Sequence, residues 1–186
     1  MLKKLNEFTP EEFESQKHPF SIKRLSTTIG AELHDIDLTK DLSKEEIGHI
    51  YNALLTYKVI FFRDQNITTE EHLRFGQYFG ELEIHPFAPL GTNREDHPEV
   101  LRITHDEENK PKENAWHSDV TWRQEPSLGS ILRMIETPPV GGDTLFASME
   151  SAYENLPDAI KEKIDGTYAV HDFTIFRKRL EKQGKT

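Results

Sequence analysis

The sequence contains no cysteine, which excludes disulfide bonds, thiolate metal ligands and catalysis by a cysteine nucleophile. It also lacks any apolar run of about 18 residues, the length that a membrane-spanning helix requires. The start of the chain, MLKKLNEFTPEEF, has no apolar segment of the kind that signal peptides carry. We therefore expect a soluble, cytoplasmic protein with no membrane partner.

Basic residues are scarce, because 23 Lys and Arg stand against 33 Asp and Glu and give a formal net charge of −10. This balance argues against nucleic acid as a partner, since nucleic-acid binding requires basic patches that neutralise phosphates. The chain also has no phosphate-binding loop, no GxGxxG and no GxSxG motif. A small anionic substrate stays compatible with the sequence, because one local arginine can outweigh a diffuse negative field. The oligomeric state stays open, and a homo-oligomer is allowed.

The 186 residues are enough for one sizeable core, and we predict a single domain over 1–186. Two helices are predicted where Ser43 with Glu46 and Thr68 with Glu71 form capping boxes. The apolar positions at helical spacing in the first of these helices are Ile47, Ile50, Tyr51, Leu54 and Leu55. A third helix is predicted over 149–164, and strands are predicted within 20–38 (interrupted by Gly30), 59–64, 99–104, 129–136 and 137–148. Because strands outnumber helices without regular alternation, we predict a mixed α+β fold, mainly β, around a mainly antiparallel sheet.

The segment WHSDVTW, residues 116–122, gathers an imidazole, a carboxylate and two tryptophans within a polar chain. In an extended chain alternate side chains share one face, so His117 and Asp119 can point at one metal ion. The alternative is a surface strand whose His and Asp merely neighbour two core tryptophans. The spacing alone is weak evidence, because nine histidines supply such a match by chance and HPE at 97–99 is a second one. The choice depends on the residues around the pair.

Longer motifs lie around and beyond this pair. In chain order they are IGAELHDIDLTKDLS, VIFFRDQNITTEEHLRFGQYFGELEIHP, WHSDVTW, EPSLGSILRMIETPPVGGDTLFAS and YAVHDF. Together they resemble the taurine dioxygenase (TauD/TfdA-like) family of Fe(II)- and 2-oxoglutarate-dependent oxygenases. The resemblance covers most of residues 22–173 in matching order and is far more specific than a bare HxD pattern. The HPE match has no such company, so His97 is interpreted as a loop histidine.

The resemblance implies a double-stranded β-helix (jelly roll) core with flanking helices, Fe(II) as the metal and 2-oxoglutarate as the co-substrate. His117 and Asp119 match the first two iron ligands of the family. Thr144, in GGDTLF, matches a threonine that contacts a carboxylate oxygen of 2-oxoglutarate, and His85, in EIHPF, matches a histidine that contacts the sulfonate of the substrate. Without the resemblance, Thr144 is an ordinary strand residue and His85 a turn histidine before Pro86.

The implied reaction is hydroxylation of a small organic acid by dioxygen, with 2-oxoglutarate converted to succinate and CO2. When the substrate is a sulfonate such as taurine, hydroxylation next to sulfur gives an unstable adduct that releases sulfite. Two positions depart from the pattern of the taurine enzymes, since Ala88 replaces a usual tyrosine and Glu113 a usual asparagine. An anionic Glu113 would repel a sulfonate but could attract an amine, and Ala88 opens space. Another sulfonate, an alkyl sulfate or a carboxylate-bearing substrate therefore stays open.

The family's third iron ligand, a histidine, and its 2-oxoglutarate-binding arginine lie in the final third of the family, beyond the motifs matched here. His171 is the only histidine after Asp119, and it falls in the AVHDF match rather than at the ligand position. We therefore expect a chain that is truncated at its C-terminal end and inactive by itself, with a naturally shortened homologue as the alternative. Two other functions stay open: a non-catalytic jelly-roll binding domain, and a zinc hydrolase that uses His117 and Asp119.

Overall fold

The computed structural model of the protein describes residues 8–84, 93–94, 96–106, 115–174, 177–178 and 181. The chain divides into two compact units. The first comprises Met1–Gly80 and Arg133–Asp165, and the second comprises Glu81–Leu132 and Gly166–Thr186. No helix in the described ranges is long and apolar enough to cross a membrane.

A three-stranded sheet organises the first unit. β1 (Ser21–Arg24) pairs antiparallel with β2 (Ala31–His34), and β2 pairs parallel with β3 (Ile60–Phe61). Gly30 stands directly before β2 with φ +93°, a backbone conformation that glycine adopts without the steric cost of a Cβ. The predicted interruption at Gly30, and the strands on either side of it, are confirmed.

Three helices of the first unit begin where the sequence supplies a capping box. α1 (Pro10–Glu14), α2 (Lys44–Tyr57) and α3 (Thr69–Gln77) each follow a complete capping box. At the start of α2, Glu46 N–H donates to Ser43 Oγ at 3.2 Å, and the Glu46 carboxylate accepts from Ser43 N–H at 2.8 Å. Both predicted capping boxes are confirmed, and α1 is an addition to the predicted helices.

The hydrophobic core of the first unit draws on the sheet, the helices and the loops between them. Its buried members are Phe13, Phe20, Ala31, Leu33, Leu38, Ile50, Ala53, Tyr57, Ile67 and Phe75. Of the five stripe positions predicted on α2, only Ile50 is buried, and the other four are half-buried. Ala53 and Tyr57 are buried as well, and the Tyr57 hydroxyl donates to the Glu14 carboxylate at 2.8 Å. Burial, together with Glu14, raises the pKa of the Tyr57 hydroxyl above its ordinary value.

The segment 149–164, predicted as one helix, forms two. α4 (Met149–Glu154) begins after Ser148, whose side chain accepts a backbone hydrogen bond from the first turn. α5 (Asp158–Ile164) follows Pro157 as its N-cap residue. A proline disfavours the helical conformation in the residue before it, so the single-helix prediction is wrong at this position.

The strands predicted over 129–136 and within 137–148 are not formed. A strand requires a hydrogen-bonded neighbour, and no segment in the described part of the chain pairs with these residues. Their apolar side chains are accordingly open to solvent, with Leu132 72% exposed and Ile135 76% exposed. Within the described residues the strands form a three-stranded and a two-stranded sheet, and no closed barrel.

The second unit contains the two-stranded sheet, in which β4 (Asn93–Arg94) pairs antiparallel with β5 (His97–Leu101). β5 begins two residues before the strand predicted over 99–104. Antiparallel pairs predominate among the described strands, as predicted. Helical residues nevertheless outnumber strand residues in the described ranges, so these ranges do not meet the prediction of a mainly β fold.

Candidate metal centre

The predicted metal ligands lie on a turn of the second unit rather than on a strand. No strand includes residues 115–122, and Asp119 begins a turn that ends at Trp122. Arg123 N–H donates to the Val120 carbonyl at 3.1 Å, which closes this turn. Val120 is buried and has φ +48°, a strained conformation for a β-branched residue. The segment expected to be extended is therefore a strained turn in the structure. Backbone strain of this kind clusters at functional sites.

His117 and Asp119 face one another at this turn. His117 Nε2 lies 3.5 Å from Asp119 Oδ1, and the two side chains are 61% and 65% exposed. The other ring nitrogen, His117 Nδ1, lies 2.9 Å from the Ala115 carbonyl oxygen. Because a carbonyl only accepts hydrogen bonds, Nδ1 carries a proton, which leaves Nε2 as the ring nitrogen that can offer a lone pair to a metal ion. The structure therefore brings the two predicted ligands together.

The donor atoms of this pair suit a divalent metal ion. A neutral imidazole nitrogen and a carboxylate oxygen are the two ligand types in the 2-His-1-carboxylate sites of non-haem iron proteins. Metal-binding histidines donate their other ring N–H to a carbonyl or carboxylate, as His117 does to Ala115. Two lone pairs 3.5 Å apart also repel one another unless a proton or a cation lies between them. His117 and Asp119 would hold such an ion, and their exposure leaves room for further ligands.

A third ligand from another part of the chain does not join the pair in the ranges that the structure describes. Within them no group of three or more His, Asp or Glu side chains has a metal-binding arrangement. His171, the only histidine after Asp119, is instead held with its Nδ1 3.0 Å from Thr121 Oγ1. His171 thus contacts the motif without completing a ligand set.

Thr144, the predicted 2-oxoglutarate contact, belongs to the first unit. It is exposed and follows Gly141 and Gly142, whose φ values are +80° and +75°. Positive φ at two successive positions favours glycine, so this pair makes the sharp turn that precedes Thr144. The hydroxyl is accessible to a ligand, and its contact with 2-oxoglutarate stays a prediction.

Three positions used in the substrate prediction, His85, Ala88 and Glu113, lie outside the described residues. Their roles therefore stay predictions. His97 does lie in the described part, where it begins β5 with its Nε2 3.7 Å from Asp96 Oδ2. The interpretation of His97 as a loop histidine is wrong, because strand pairing with β4 depends on a neighbour that periodicity within HPEVL does not reveal.

Glu83 anchors the C-terminal side of the motif and is absent from the sequence-based prediction. Its carboxylate pairs with the guanidinium of Arg123 and accepts from Ser127 Oγ at 2.7 Å. Arg123 and Ser127 both follow the turn that contains Asp119, so their contacts with Glu83 restrain the chain after this turn. The partners are far apart in the chain, and no local pattern around Glu83 indicates them.

A family model and several known proteins match this chain. The family model "Taurine catabolism dioxygenase TauD, TfdA family" matches residues 21–185. An alkylsulfatase of Acinetobacter baylyi is 35% identical over 151 residues, which cover 81% of this chain and 46% of that protein. An alpha-ketoglutarate-dependent sulfate ester dioxygenase of Pseudomonas putida is 34% identical over 165 residues, covering 87% of this chain and 51% of that protein.

A solved structure agrees with these matches. A taurine dioxygenase from Burkholderia xenovorans is 39% identical, with a TM-score of 0.68 over 79% of this chain and 51% of that chain. The chain thus spans about half the length of the relatives it matches. The resemblance inferred from the motifs is confirmed, since the family model covers nearly the whole stretch that carries them. The chain belongs to the TauD/TfdA family of alpha-ketoglutarate-dependent dioxygenases.

Proposed function

We propose that residues 1–186 are part of an Fe(II)- and 2-oxoglutarate-dependent dioxygenase that hydroxylates a small anionic organic compound. The observation that carries the proposal is the pairing of His117 Nε2 with Asp119 Oδ1 at 3.5 Å. Membership of the family supports 2-oxoglutarate as the co-substrate. The proposal includes one jelly-roll domain to which all these residues belong.

Each candidate residue has a distinct task in this proposal. His117 and Asp119 hold the iron. The Ala115 carbonyl keeps a proton on Nδ1, so that the lone pair of Nε2 is the one offered to the iron. Bound iron supplies the oxidation chemistry with dioxygen. Thr144 donates its hydroxyl hydrogen to a carboxylate oxygen of 2-oxoglutarate, and His85 contacts the acidic group of the substrate. The protein thus positions both substrates relative to the metal.

The substrate in this proposal is an organic sulfur acid, with a sulfonate such as taurine as the first candidate. A sulfate ester is the second candidate, because relatives carry the names alkylsulfatase and sulfate ester dioxygenase. Ala88 supports the sulfate ester, since its small side chain leaves space for an alkyl group. An anionic Glu113 would repel a sulfonate and a sulfate alike, and it could attract the amine of taurine, so it does not favour the sulfate ester.

The products distinguish the two substrates. Hydroxylation of the carbon that bears a sulfonate releases sulfite, whereas hydroxylation of the carbon that bears a sulfate ester releases sulfate. The experiment incubates the complete gene product that contains these residues with Fe(II), labelled 2-oxoglutarate and dioxygen. Taurine, hexanesulfonate and hexyl sulfate are supplied in parallel, and succinate, sulfite and sulfate are measured.

The expected result is iron-dependent succinate, matched by one sulfur product, and its loss in His117→Ala. Binding of a sulfur acid without succinate from any substrate would contradict the dioxygenase and support a non-catalytic binding domain. Activity with zinc in place of iron, and without 2-oxoglutarate, would support the hydrolase instead.

A further inference from the structure

The turn that carries Asp119 is contacted by one distant segment of the second unit. His171 Nδ1 lies 3.0 Å from Thr121 Oγ1, at hydrogen-bond distance. The ring of Phe173 lies 4.7 Å from the ring of Trp122, centroid to centroid, with the planes tilted by 41°. Two contacts of different chemistry therefore connect the AVHDF motif to the WHSDVTW motif. The AVHDF motif has no task in the function proposed above.

Both contacts are made by side chains that closely follow Asp119, a proposed metal ligand, in the chain. Thr121 is two residues after Asp119 and lies within the turn that is closed by the hydrogen bond from Arg123 N–H to the Val120 carbonyl. Because Val120 is held at a strained positive φ, a neighbouring restraint is needed to keep the turn in this conformation. Release of Thr121 would let the turn relax and would move the Asp119 carboxylate away from His117.

The segment that supplies the restraint is itself ordered by a local hydrogen bond. Asp172 Oδ1 accepts from Thr174 N–H at 2.9 Å, which fixes the backbone between His171 and Phe173. His171 and Phe173, the two side chains that contact the WHSDVTW motif, therefore extend from one short segment whose backbone is held locally. Side chains held in this way can orient metal ligands without touching the metal.

We propose that His171 and Phe173 are positioning residues that hold the turn so that the Asp119 carboxylate faces His117 Nε2. This inference rests on the proposed function, because it assumes that the pair binds a metal ion. The alternative is that His171 is itself a ligand. It belongs to no three-ligand group among the described residues, so the geometry favours positioning.

The test measures metal affinity, rather than catalysis, in the complete gene product that contains these residues. Mn(II) is titrated at constant pH, and paramagnetic broadening of the His117 ring signals is followed by NMR. The variants are His171→Ala, His171→Asn and Phe173→Leu. Asn is the informative replacement because its amide places a polar atom near the position of Nδ1 and can bond Thr121 as donor or acceptor. Tyr168→Ala is the matched control, since Tyr168 lies in the same segment and is 98% exposed.

The loss of one hydrogen bond should weaken Mn(II) binding in His171→Ala by roughly two- to tenfold. Phe173→Leu should weaken it to a similar extent, whereas His171→Asn should restore most of the affinity and Tyr168→Ala should leave it unchanged. Thermal unfolding of each variant is recorded so that affinities are compared only among folded proteins.

Two results would overturn the positioning role while leaving the metal site intact. The first is unchanged Mn(II) affinity in His171→Ala, and the second is an equal loss in His171→Asn and His171→Ala, which would identify His171 as a ligand. A different failure belongs to the proposed function: if the unsubstituted chain shows no Mn(II) broadening at His117, the metal site itself is contradicted, and the positioning role falls with it.

Discussion

Residues 8–80 and residues 115–147 are two regions of one chain that differ in what determines their structure. In the first region, three helices begin with capping boxes, and ten hydrophobic side chains form a buried core. In the second, which the structure describes completely, Val120 is the only buried residue and no strand or helix forms. The first region is defined by burial, and the second by a turn that exposes an imidazole and a carboxylate.

This difference indicates that stability and chemistry lie in separate parts of the chain. Apolar area removed from water is the main stabilising term in folding, and it is concentrated in residues 8–80. His117 and Asp119 are exposed, so their replacement removes little buried surface. Variants in the two regions should therefore affect different measurements.

The largest expected effect is on stability in the first region. Leu33 is 2% exposed, and Leu33→Ala should lower the free energy of unfolding by about 2–5 kcal/mol through lost burial and a residual cavity. Leu132→Ala, at a position 72% exposed, should change it by less than about 0.5 kcal/mol. Urea unfolding monitored by circular dichroism measures both. Equal effects would show that the two regions share one core.

The next effect concerns metal binding in the second region. His117→Ala and Asp119→Ala each remove a protein ligand, so each should lower the iron affinity of the complete gene product by more than about a hundredfold. His97→Ala is the matched control and should leave the affinity near that of the unsubstituted protein. Iron content after equilibrium dialysis measures all three. A comparable loss in His97→Ala would mean that the ligand assignment is wrong.

A smaller effect is expected at the co-substrate. Thr144→Val keeps the branched shape and deletes a hydroxyl that would donate to an ionised oxygen. Hydrogen bonds to charged groups contribute about 1.5–3 kcal/mol, which corresponds to a tenfold to hundredfold rise in the 2-oxoglutarate concentration required. Thr137→Val, an exposed threonine of the same unit, provides the control. An unchanged requirement in Thr144→Val would reduce Thr144 to a surface residue.

A helix cap in the first region should contribute less to the free energy of unfolding than a buried core residue does. Ser43 Oγ accepts from Glu46 N–H at 3.2 Å, so Ser43→Ala leaves a helix N–H without its side-chain partner. The expected loss is about 1 kcal/mol of unfolding free energy. Ser130→Ala, at an exposed position of the second region, should have no measurable effect. Chemical denaturation of the two variants in parallel decides whether the cap contributes as expected.

The smallest effect is a pH dependence in the first region. Thr39 and Lys40 donate hydrogen bonds to Asp37 and lower the pKa of its carboxyl group to about 2. Because this is below the unfolded value of about 3.9, the ionised form stabilises the fold at neutral pH. That contribution is lost as pH falls from about 4 towards 2. Asp37→Asn should therefore show a shallower loss of unfolding free energy between about pH 4 and pH 2, and an identical slope would show that Asp37 does not contribute.

The contrast between the regions also explains which features the sequence could predict. The starts of α2 and α3, and the interruption at Gly30, depend on residues within a few positions of one another, and all are confirmed. The WHSDVTW pair was identified from its chemistry and its surrounding motifs, which do not require knowledge of the backbone. The sequence therefore predicts the caps and the candidate ligands.

Features that depend on distant partners were predicted wrongly or not at all. The pattern at 129–136 has the composition of a strand, yet a strand requires hydrogen bonds from a neighbour that no described segment provides. The Glu83 contacts with Arg123 and Ser127, and the contact of His171 with Thr121, join residues far apart in the chain. Local periodicity contains no information on such pairs.

The central claim is that His117 and Asp119 together form the metal site, and the described residues include a competing histidine pair. His18 Nδ1 and His49 Nδ1 lie 3.1 Å apart in the first region, where His18 Nε2 also lies 2.6 Å from the Phe13 carbonyl oxygen. The most direct measurement is an NMR titration of the complete gene product with Mn(II), following the rings of the nine histidines of residues 1–186 at once. We expect the His117 signals to broaden at the lowest Mn(II) concentration, and we expect Asp119→Ala to abolish this broadening. If the signals of His18 and His49 broaden first and those of His117 are unaffected, the assignment of the metal site to His117 and Asp119 is contradicted.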